Sequence, residues 1–565
     1  MASTKSRQRI TRKPDSQSNS LTNLTPSSYK FVRFEEPFLD AGLAFLAREL
    51  KDLFPSSVTI EPEGFNFTFP ESGWEDKLFS RLVEQRQRRL LQTAAKSNKT
   101  KALVNRFIPG AGGSTRWGHP IFGKGTPGKE QKEIFIALMR QVVGLETSKS
   151  DQIEICGMTG QLFYPHAELS EGRQSIYPFM VDQKRNLGGV REFDFRHNQK
   201  VIIAGTCSWL TSIPFVMFYK SGTPVSTLFY PVASDFNVAM DLEEGFKTIL
   251  TFDHSPYGNF RIQGRYNDSP FAMLIRLYER YLIDTSRVLP CYQWFVLKIT
   301  KEGQGYDIRA FDCSIPSISN FNHFFTPLPE TIEQEPFALG TWLSRIWIKA
   351  LDDQFKERYD DVKDRFPEWL DNLAKSFIED NVDMFIASFA NVQFGHSLYI
   401  VNTTRDDFFK IFWTLIDRFS GGKTMDESLR HGVEAFGRAL ESFAWHGRSG
   451  GGRKDLSHHY KIARSGSYRA LAEAVTDAIS GMMAASDASG TKFKFNREAR
   501  QFCEWWVSNL ESDCFSENNW WKVKSLLVAA MNMAVAQPQT IQPDEPQENI
   551  QEDEPTDDTN EKEEI

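Results

Sequence analysis

The chain has 565 residues, of which 40% are hydrophobic, 13% aromatic and 25% charged, a composition typical of a folded protein with more than one domain. No apolar run reaches the roughly 18 residues of a membrane span, and the first residues lack the apolar core of a secretion signal. The six cysteines lie too far apart for a disulfide framework, which favours a reducing compartment. A cytoplasmic protein without membrane contact is therefore expected.

The formal net charge of −8 conceals a strong segregation of charge. Residues 1–30 carry six bases and one acid, whereas Ile541–Ile565 carries eleven acids and one lysine. Between Lys77 and Lys132 lie thirteen Lys or Arg residues and two acids. Cations at this density repel one another unless a polyanion is present, so the block favours phosphate-backbone binding over a merely solvated face.

In chain order, residues 1–30 are polar and are predicted to be disordered. A mixed α/β body is predicted from 31 to 335. Its helices are Trp74–Lys96, whose apolar stripe leaves Arg81 and three further arginines on an outer face, and Lys129–Val143. Strand-like runs then begin at Val201, Phe215, Val225 and Tyr292.

Helical periodicity dominates residues 336–536, which predicts a C-terminal all-α helical bundle and an α+β chain overall. The predicted helices are Thr341–Tyr359, Pro367–Ala390, Thr404–Phe419, Thr424–Trp445, Ser465–Ala485, Asn496–Leu510 and Asn518–Ala536. Residues 537–565 are predicted to form a disordered acidic tail. For such a tail, solubility is the favoured interpretation over competition for the chain's own basic surface.

A glycine-rich stretch, RFIPGAGGSTRWGHPIFGKG, occupies Arg106–Gly125. Its second part, Gly118–Gly125, begins like a phosphate-binding P-loop, but Gly125 stands where a Mg²⁺-binding hydroxyl is needed. No apolar strand precedes the stretch, and a Thr-Pro-Gly sequence follows where the phosphate-binding helix should begin. A nucleotide-dependent enzyme therefore remains only as an alternative to a binding loop.

Other motifs give no catalytic site. His166-Ala167-Glu168 lacks the downstream cysteine pair of a zinc deaminase, and His458-His459 has no acidic ligands beside it in the sequence. Cys156 and Cys207 each retain only the first cysteine of a Cys-x-x-Cys knuckle, so no metal and no other cofactor is predicted. The sequence indicates a binding protein rather than an enzyme, with a scaffold that binds acidic protein as a further alternative.

The segment Ile155–Tyr219 resembles the degenerate zinc-knuckle region of Cas8, the large subunit of type I CRISPR Cascade complexes, and the type I-B branch in particular. The match covers about 65 residues and rests on Cys156, Tyr177-Pro178-Phe179, Asn186, Cys207 and Ile213-Pro214. Thr159 and Leu210 replace the second cysteine of each knuckle, and this departure bears on zinc binding.

The resemblance implies a non-catalytic subunit of an RNA-guided DNA surveillance complex. Such a subunit contacts the 5′ handle of the crRNA with Cas5, recognises the protospacer-adjacent motif (PAM) in double-stranded target DNA and stabilises the R-loop. It assembles with Cas5, Cas6, Cas7 and Cas11, and it recruits Cas3 or a TniQ/TnsC-type transposition effector. In relatives the helical part is also made separately as Cas11, and Met384 and Met425 are candidate internal starts here.

The predicted DNA contacts lie in and around the glycine-rich stretch. Glycine lets the backbone approach a groove, Asn and Arg can read base edges, and tryptophan can stack on an opened pair. The predicted PAM-reading residues are Asn105, Arg106, Ser114, Thr115, Arg116 and Trp117. The predicted phosphate contacts are Arg86, Arg88, Arg89, Lys99, Lys101, Lys124, Lys129, Arg448, Arg453, Lys454 and Lys461.

The last four phosphate contacts belong to a second basic segment, His446–Arg464, which interrupts the predicted bundle. A plain interhelical loop is the alternative to a contact with the displaced or the target strand. Near the end of the bundle, Trp520 and Trp521 are most simply core or subunit interface. Because Lys522 and Lys524 follow them directly, nucleic acid remains open there as well.

Overall fold

The computed structural model describes the chain in segments. These are residues 27–70, 72–92, 129–145, 153–156, 159–163, 216–219, 225–252, 269–302, 305–326, 328, 339–343, 346–350, 359–392, 396–401, 404–419, 426–446, 455–488, 492–510, 516–534 and 536–539. Within them, no helix is both long enough and apolar enough to cross a membrane.

The first unit is a three-stranded antiparallel sheet covered by helices. Its elements are β1 (Ser28–Val32), α1 (Pro37–Leu53), β2 (Val58–Glu61), β3 (Gly64–Thr68), α2 (Trp74–Gln92) and α3 (Lys129–Val142). β3 lies between β1 and β2 and alternates along its length, with Phe65 and Phe67 fully buried and Asn66 on the other face. Helix α1 begins at Pro37, and the carboxylate of Glu36 caps it by accepting from the Leu39 amide at 2.9 Å.

The second unit is built on a four-stranded antiparallel sheet in the order β6-β7-β8-β9. Its elements, after the short hairpin β4 (Glu154–Ile155) and β5 (Leu162–Phe163), are β6 (Val216–Tyr219), β7 (Val225–Val232), α4 (Phe236–Phe252), α5 (Pro270–Thr285), β8 (Gln293–Glu302), β9 (Gly305–Ser314) and α6 (Ile318–His323). Helix α4 packs on α1, and α5 packs on α4, so one core joins the two units.

The C-terminal unit is largely helical. It comprises α7 (Leu339–Leu343), β10 (Ile346–Ala350), α8 (Tyr359–Ile378), α9 (Val382–Ala390), β11 (His396–Val401), α10 (Arg405–Phe419), α11 (Glu427–His446), α12 (Ser457–Ala463), α13 (Tyr468–Asp487), α14 (Arg497–Asn509), α15 (Trp520–Ala534) and β12 (Gln537–Gln539). Helix α15 is its central element, because α9, α10, α11, α12 and α13 all pack against it. All residues from Leu526 to Ala534 are buried.

The prediction of an α+β chain with a helical C-terminal region is confirmed, but the prediction that this region is all-α is wrong. Strands β10, β11 and β12 form a three-stranded sheet inside it. Within the predicted helix Thr341–Tyr359, the five residues Ile346–Ala350 form β10, where Ile346 and Ile348 pair with β11. Periodicity alone cannot separate a short buried strand from a helical turn.

Two further boundaries are corrected. The predicted helix Pro367–Ala390 is two helices, because Asp380 adopts a left-handed conformation (φ 53°) and Asn381 caps α9 by accepting from the Met384 amide at 3.0 Å. Both segments predicted to be disordered overlap strands: Ser28–Val32 pairs with β3, and Gln537–Gln539 pairs in parallel with β11. A sheet partner distant in sequence orders these polar residues.

Candidate nucleic-acid interface

Most of the predicted DNA contacts lie outside the described residues. These are Asn105, Arg106, Ser114, Thr115, Arg116, Trp117, Lys99, Lys101, Lys124, Arg448, Arg453 and Lys454. The backbone of α2 includes Arg86, Arg88 and Arg89, whose side chains also lie outside the described part. The structure thus gives side-chain geometry for Lys129 and Lys461 among the predicted site residues.

The two ends of the basic block are neutralised by acids. On α2 and α3, Lys132 pairs with Asp76 (Nζ–Oδ1 2.6 Å) and Arg140 pairs with Glu75 (Nε–Oε1 2.9 Å). Lys129 is exposed, and its ammonium is 3.8 Å from Glu133 one turn along α3. Cations at the ends of the block are therefore balanced by carboxylates of the chain itself, which the cation density in the sequence did not indicate. Between Arg86 and Lys124 the sequence has nine cations and no acid, and the side chains of these cations lie outside the described residues.

Arg81 was predicted to face outward, but it joins a largely buried ion network between three helices. Its Nε is 2.8 Å from Oε2 of Glu49 on α1, a carboxylate that is completely buried. Arg48 bridges Glu49 and Glu243 of α4, and the two carboxylates hold its pKa above the usual value against the effect of burial. The network fixes the first half of α2 on the body, from which the basic sequence continues.

The second basic segment has a described geometry. Its last part forms α12, a short helix that was predicted as loop, and this helix packs against α15. The link is specific: Nζ of Lys524 donates a hydrogen bond to the carbonyl of Ser465 at 2.7 Å. Two stretches that are 59 residues apart in the sequence are thereby brought together.

Cations and aromatic side chains of both joined segments flank this contact in the sequence, and we name them together the aromatic–cationic face. Three cations lie against aromatic rings, each within 6 Å of the ring centroid: Arg464 over Tyr460 (5.4 Å), Lys522 over Trp521 (5.2 Å) and Lys524 over Trp520 (5.8 Å). Lys461 completes the face one turn before Ser465. The face therefore consists of Tyr460, Lys461, Arg464, Trp520, Trp521, Lys522 and Lys524.

Two of its aromatic side chains are open to solvent, since Tyr460 and Trp521 are each 41% exposed. Trp520 is partly buried against the core and holds Lys524 in place. An exposed ring beside a cation matches the requirement for stacking a nucleic-acid base while neutralising its phosphate. The face therefore has the side chains that a single-strand binding surface needs.

The electrostatics of the face are shaped by burial and by one acid. Partial burial lowers the pKa of Lys524, whose ammonium is held by the Ser465 carbonyl. Lys461 lies 3.2 Å from Asp477 on α13, so its charge is partly balanced. Arg464 and Lys522 are exposed, and these two cations are the best placed to meet a phosphate.

The region of the degenerate Cys-x-x-Cys knuckles, for which no metal was predicted, is only partly described. Cys156 is buried in the β4–β5 hairpin, where its amide donates to the Gln161 carbonyl and its carbonyl accepts from the Gly160 amide, both at 2.8 Å. Thr159 stands at the position of the second knuckle cysteine, and its hydroxyl accepts from the Gln161 amide. Cys207, His166 and His197 lie outside the described residues, within which no group of three or more potential metal ligands occurs.

The buried thiols do not have the character of nucleophiles. Burial raises the pKa of Cys291 to about 12 and that of Cys313 to about 12, which keeps both protonated at neutral pH. Tyr278 is buried beside them, its hydroxyl donates to the Cys291 carbonyl, and burial raises its pKa as well. These groups build a core between α5 and β8.

Of the residues that form the aromatic–cationic face, Lys461 was predicted as a site residue from the sequence and the others were not. The four-residue spacing of Tyr460 and Arg464 on a helix was a usable signal, because such residues share one face. The contact between Ser465 and Lys524 had no signal in the sequence, since no periodicity relates residues so far apart. No family model, no curated protein and no solved structure matches the chain.

Proposed function

We propose that this chain is a non-catalytic nucleic-acid-binding subunit and that its aromatic–cationic face binds a single strand. The observation that carries the proposal is the hydrogen bond from Lys524 to Ser465, which joins the segment that has the exposed Tyr460 to the helix that begins with Trp520 and the exposed Trp521. Stacking is tolerant of base identity, so the face suits a strand that has been separated from its duplex.

The assembly that fits this role is the one implied by the resemblance, a type I Cascade complex. Base pairing with the guide RNA supplies sequence recognition in such complexes, and the protein reads a short duplex motif and holds backbones. The acid-free run from Arg86 to Lys124 would grip the duplex and read the PAM. The aromatic–cationic face would hold an unwound strand at the other end of the chain, and the effector would be Cas3 or a transposition adaptor.

The test of the face is a binding measurement on the full chain. Labelled dT20 is titrated at several salt concentrations against the wild type and the double variant Arg464→Gln/Lys522→Gln. Each lost phosphate contact lowers the salt slope by roughly 0.7 for single strands, so the double variant should bind more weakly with a slope lower by roughly 1.4. Lys375→Gln on α8, a half-exposed lysine paired with Glu379, is the matched control.

Unchanged affinity and slope in the double variant would refute the face as a nucleic-acid site. The PAM assignment has its own test: Asn105→Ala and Arg116→Ala should weaken binding to duplex target while leaving assembly with crRNA intact. ATP binding that disappears in Lys124→Ala would instead favour the P-loop alternative. Binding of an acidic protein that persists without RNA and at high salt would favour the scaffold.

A further inference from the structure

The chain contains a polyanion of its own. The segment Ile541–Ile565 has eleven Asp or Glu residues and one lysine among 25 residues. The face has four cations of opposite charge, Lys461, Arg464, Lys522 and Lys524, and Lys461 has a carboxylate partner. Eleven acids and one lysine give the segment a net charge of −10, about one negative charge per 2.5 residues, compared with one per nucleotide in a single strand.

The structure fixes the point from which this segment departs. β12 pairs with β11 through Gln537, Pro538 and Gln539, and Nε of Arg405 donates to the Ala536 carbonyl at 2.8 Å. Helix α15 runs directly from the face to this anchor, and at about 1.5 Å per residue Ala534 lies about 20 Å along the helix from Trp521. The acidic segment therefore starts within one helix length of the face.

The length of the segment is more than sufficient to return. A chain of 25 residues spans at most about 80 Å when extended, about four times the distance along α15. Because the two partners are covalently joined, the effective concentration of the segment at the face is in the millimolar range, on the order of that for short linkers. Ion pairs that are weak individually are then sufficient for the segment to occupy the face in a substantial fraction of molecules.

The segment also has groups that match the aromatic part of the face. Proline occurs at positions 543, 546 and 555, and isoleucine at 541 and 550, interspersed with the acids. The partly exposed faces of Tyr460 and Trp521 can take such small apolar groups while the carboxylates meet Arg464 and Lys522. An occupant with both features fits better than a purely ionic one.

We infer that Ile541–Ile565 docks on the aromatic–cationic face of the same chain and competes with nucleic acid for it. The competition rests on the proposed function of that face, whereas the docking itself does not. Through this competition the segment lowers the affinity of the face for weakly and non-specifically bound strands. A strand that is also held by base pairing with a guide displaces the segment.

The experiment compares three full-length or nearly full-length proteins. They are the wild type, a chain ending at Thr540, and a full-length chain in which every Asp and Glu of 541–565 is changed to Asn or Gln. Affinity for dT20 at about 50 mM salt should rise at least about fivefold in both altered proteins, and the gain should shrink as salt increases. The amide-substituted chain controls for length, because only its charge differs.

Docking is measured separately with a labelled peptide of the sequence 541–565 added to the chain ending at Thr540. It should bind, lose affinity in Arg464→Glu/Lys522→Glu and keep affinity in Lys375→Glu. Equal dT20 affinities in all three proteins would overturn the competition if dT20 binds at the face. If no protein binds dT20, the proposed function fails and the peptide titration alone decides docking. A peptide that does not bind, or binds equally to the two Glu-substituted chains, would overturn the docking.

Discussion

Lys524 and Ser465 are joined by a 2.7 Å hydrogen bond from the lysine ammonium to the serine carbonyl. The Ser465 carbonyl lies just after the end of α12, where backbone oxygens lack partners within the helix. A lysine from α15 thus completes the end of α12, and the start of α15 is joined to the segment that contains Tyr460 and Arg464. The position of the candidate site depends on this hydrogen bond and on the packing of α12 against α15.

Lys524→Met should cost about 1 kcal/mol of unfolding free energy, because it removes a partly buried hydrogen bond to a helix end. Urea unfolding followed by far-UV circular dichroism gives this value. Lys522→Met, on an exposed lysine of the same helix, should change stability by less than about 0.5 kcal/mol. Equal losses of unfolding free energy in the two variants would mean that the hydrogen bond to Ser465 does not stabilise the fold.

Trp521→Ala should weaken binding of dT20 by 5- to 150-fold, corresponding to the roughly 1–3 kcal/mol of a stacked base. Anisotropy of labelled dT20 measures the loss. The matched control is Tyr292→Ala, which removes a 54% exposed ring that precedes β8, on another part of the molecule. If the control loses as much affinity as Trp521→Ala, stacking on this face is not the cause.

Gly437→Ala should destabilise the C-terminal unit by about 1–3 kcal/mol, since a Cβ at this position would lie 2.5 Å from the backbone oxygen of Ala530. Helices α11 and α15 approach closely there and cannot separate without losing core contacts. Gly466→Ala is the control, because a Cβ at Gly466 would meet no atom within 4 Å. Thermal unfolding of the two variants compares them directly, and equal midpoints would argue against the close crossing.

Arg48→Met should cost about 3–5 kcal/mol, because it leaves the carboxylates of Glu49 and Glu243 buried without their shared partner. Arg469→Met breaks an exposed pair with Glu473 on α13 and should cost less than about 1 kcal/mol. Chemical denaturation of the full chain measures both. A small loss in Arg48→Met would contradict the expectation that the two buried carboxylates depend on Arg48.

His458 should make stability depend on pH. Burial against Phe443 and Gly481 lowers its pKa below the ordinary 6.5, and Lys461 lowers it further, while Asp455 and Asp477 act in the opposite direction. As pH falls, the His458 imidazole therefore binds a proton in the unfolded chain before it does so in the folded chain. The stability contributed by neutral His458 is complete above about pH 6.5 and is lost as pH falls below that value. Urea midpoints between pH 7.5 and 5.5 should fall less steeply in His458→Gln than in the wild type.

The helices of the C-terminal unit were largely predictable. The predicted Thr404–Phe419 corresponds to Arg405–Phe419, and Asn496–Leu510 corresponds to Arg497–Asn509. Each presents an apolar stripe wide enough to give a clear 3.6-residue period, and capping side chains such as Asn496 lie at their starts. Periodicity and capping act within one or two turns, so the local sequence contains them.

The strands β1, β10, β11 and β12 were not predicted, because each is short and gains its hydrogen bonds from a distant segment. Gln537–Gln539 illustrates the difference: the sequence is polar and contains a proline, yet it pairs in parallel with β11. A strand at a sheet edge can accommodate such residues, and the sequence does not reveal that the edge is there.

The sequence by itself determined the α+β character, the helical end of the chain, the segregation of its charge and the failure of the P-loop pattern. The tertiary structure decided which cations are neutralised, as with Arg81 and Lys132, and which distant segments meet, as with Lys524 and Ser465. The physical reason is range. Propensity, periodicity and net charge are sums over neighbouring residues, whereas ion pairing and the Lys524–Ser465 hydrogen bond depend on distances that only packing fixes.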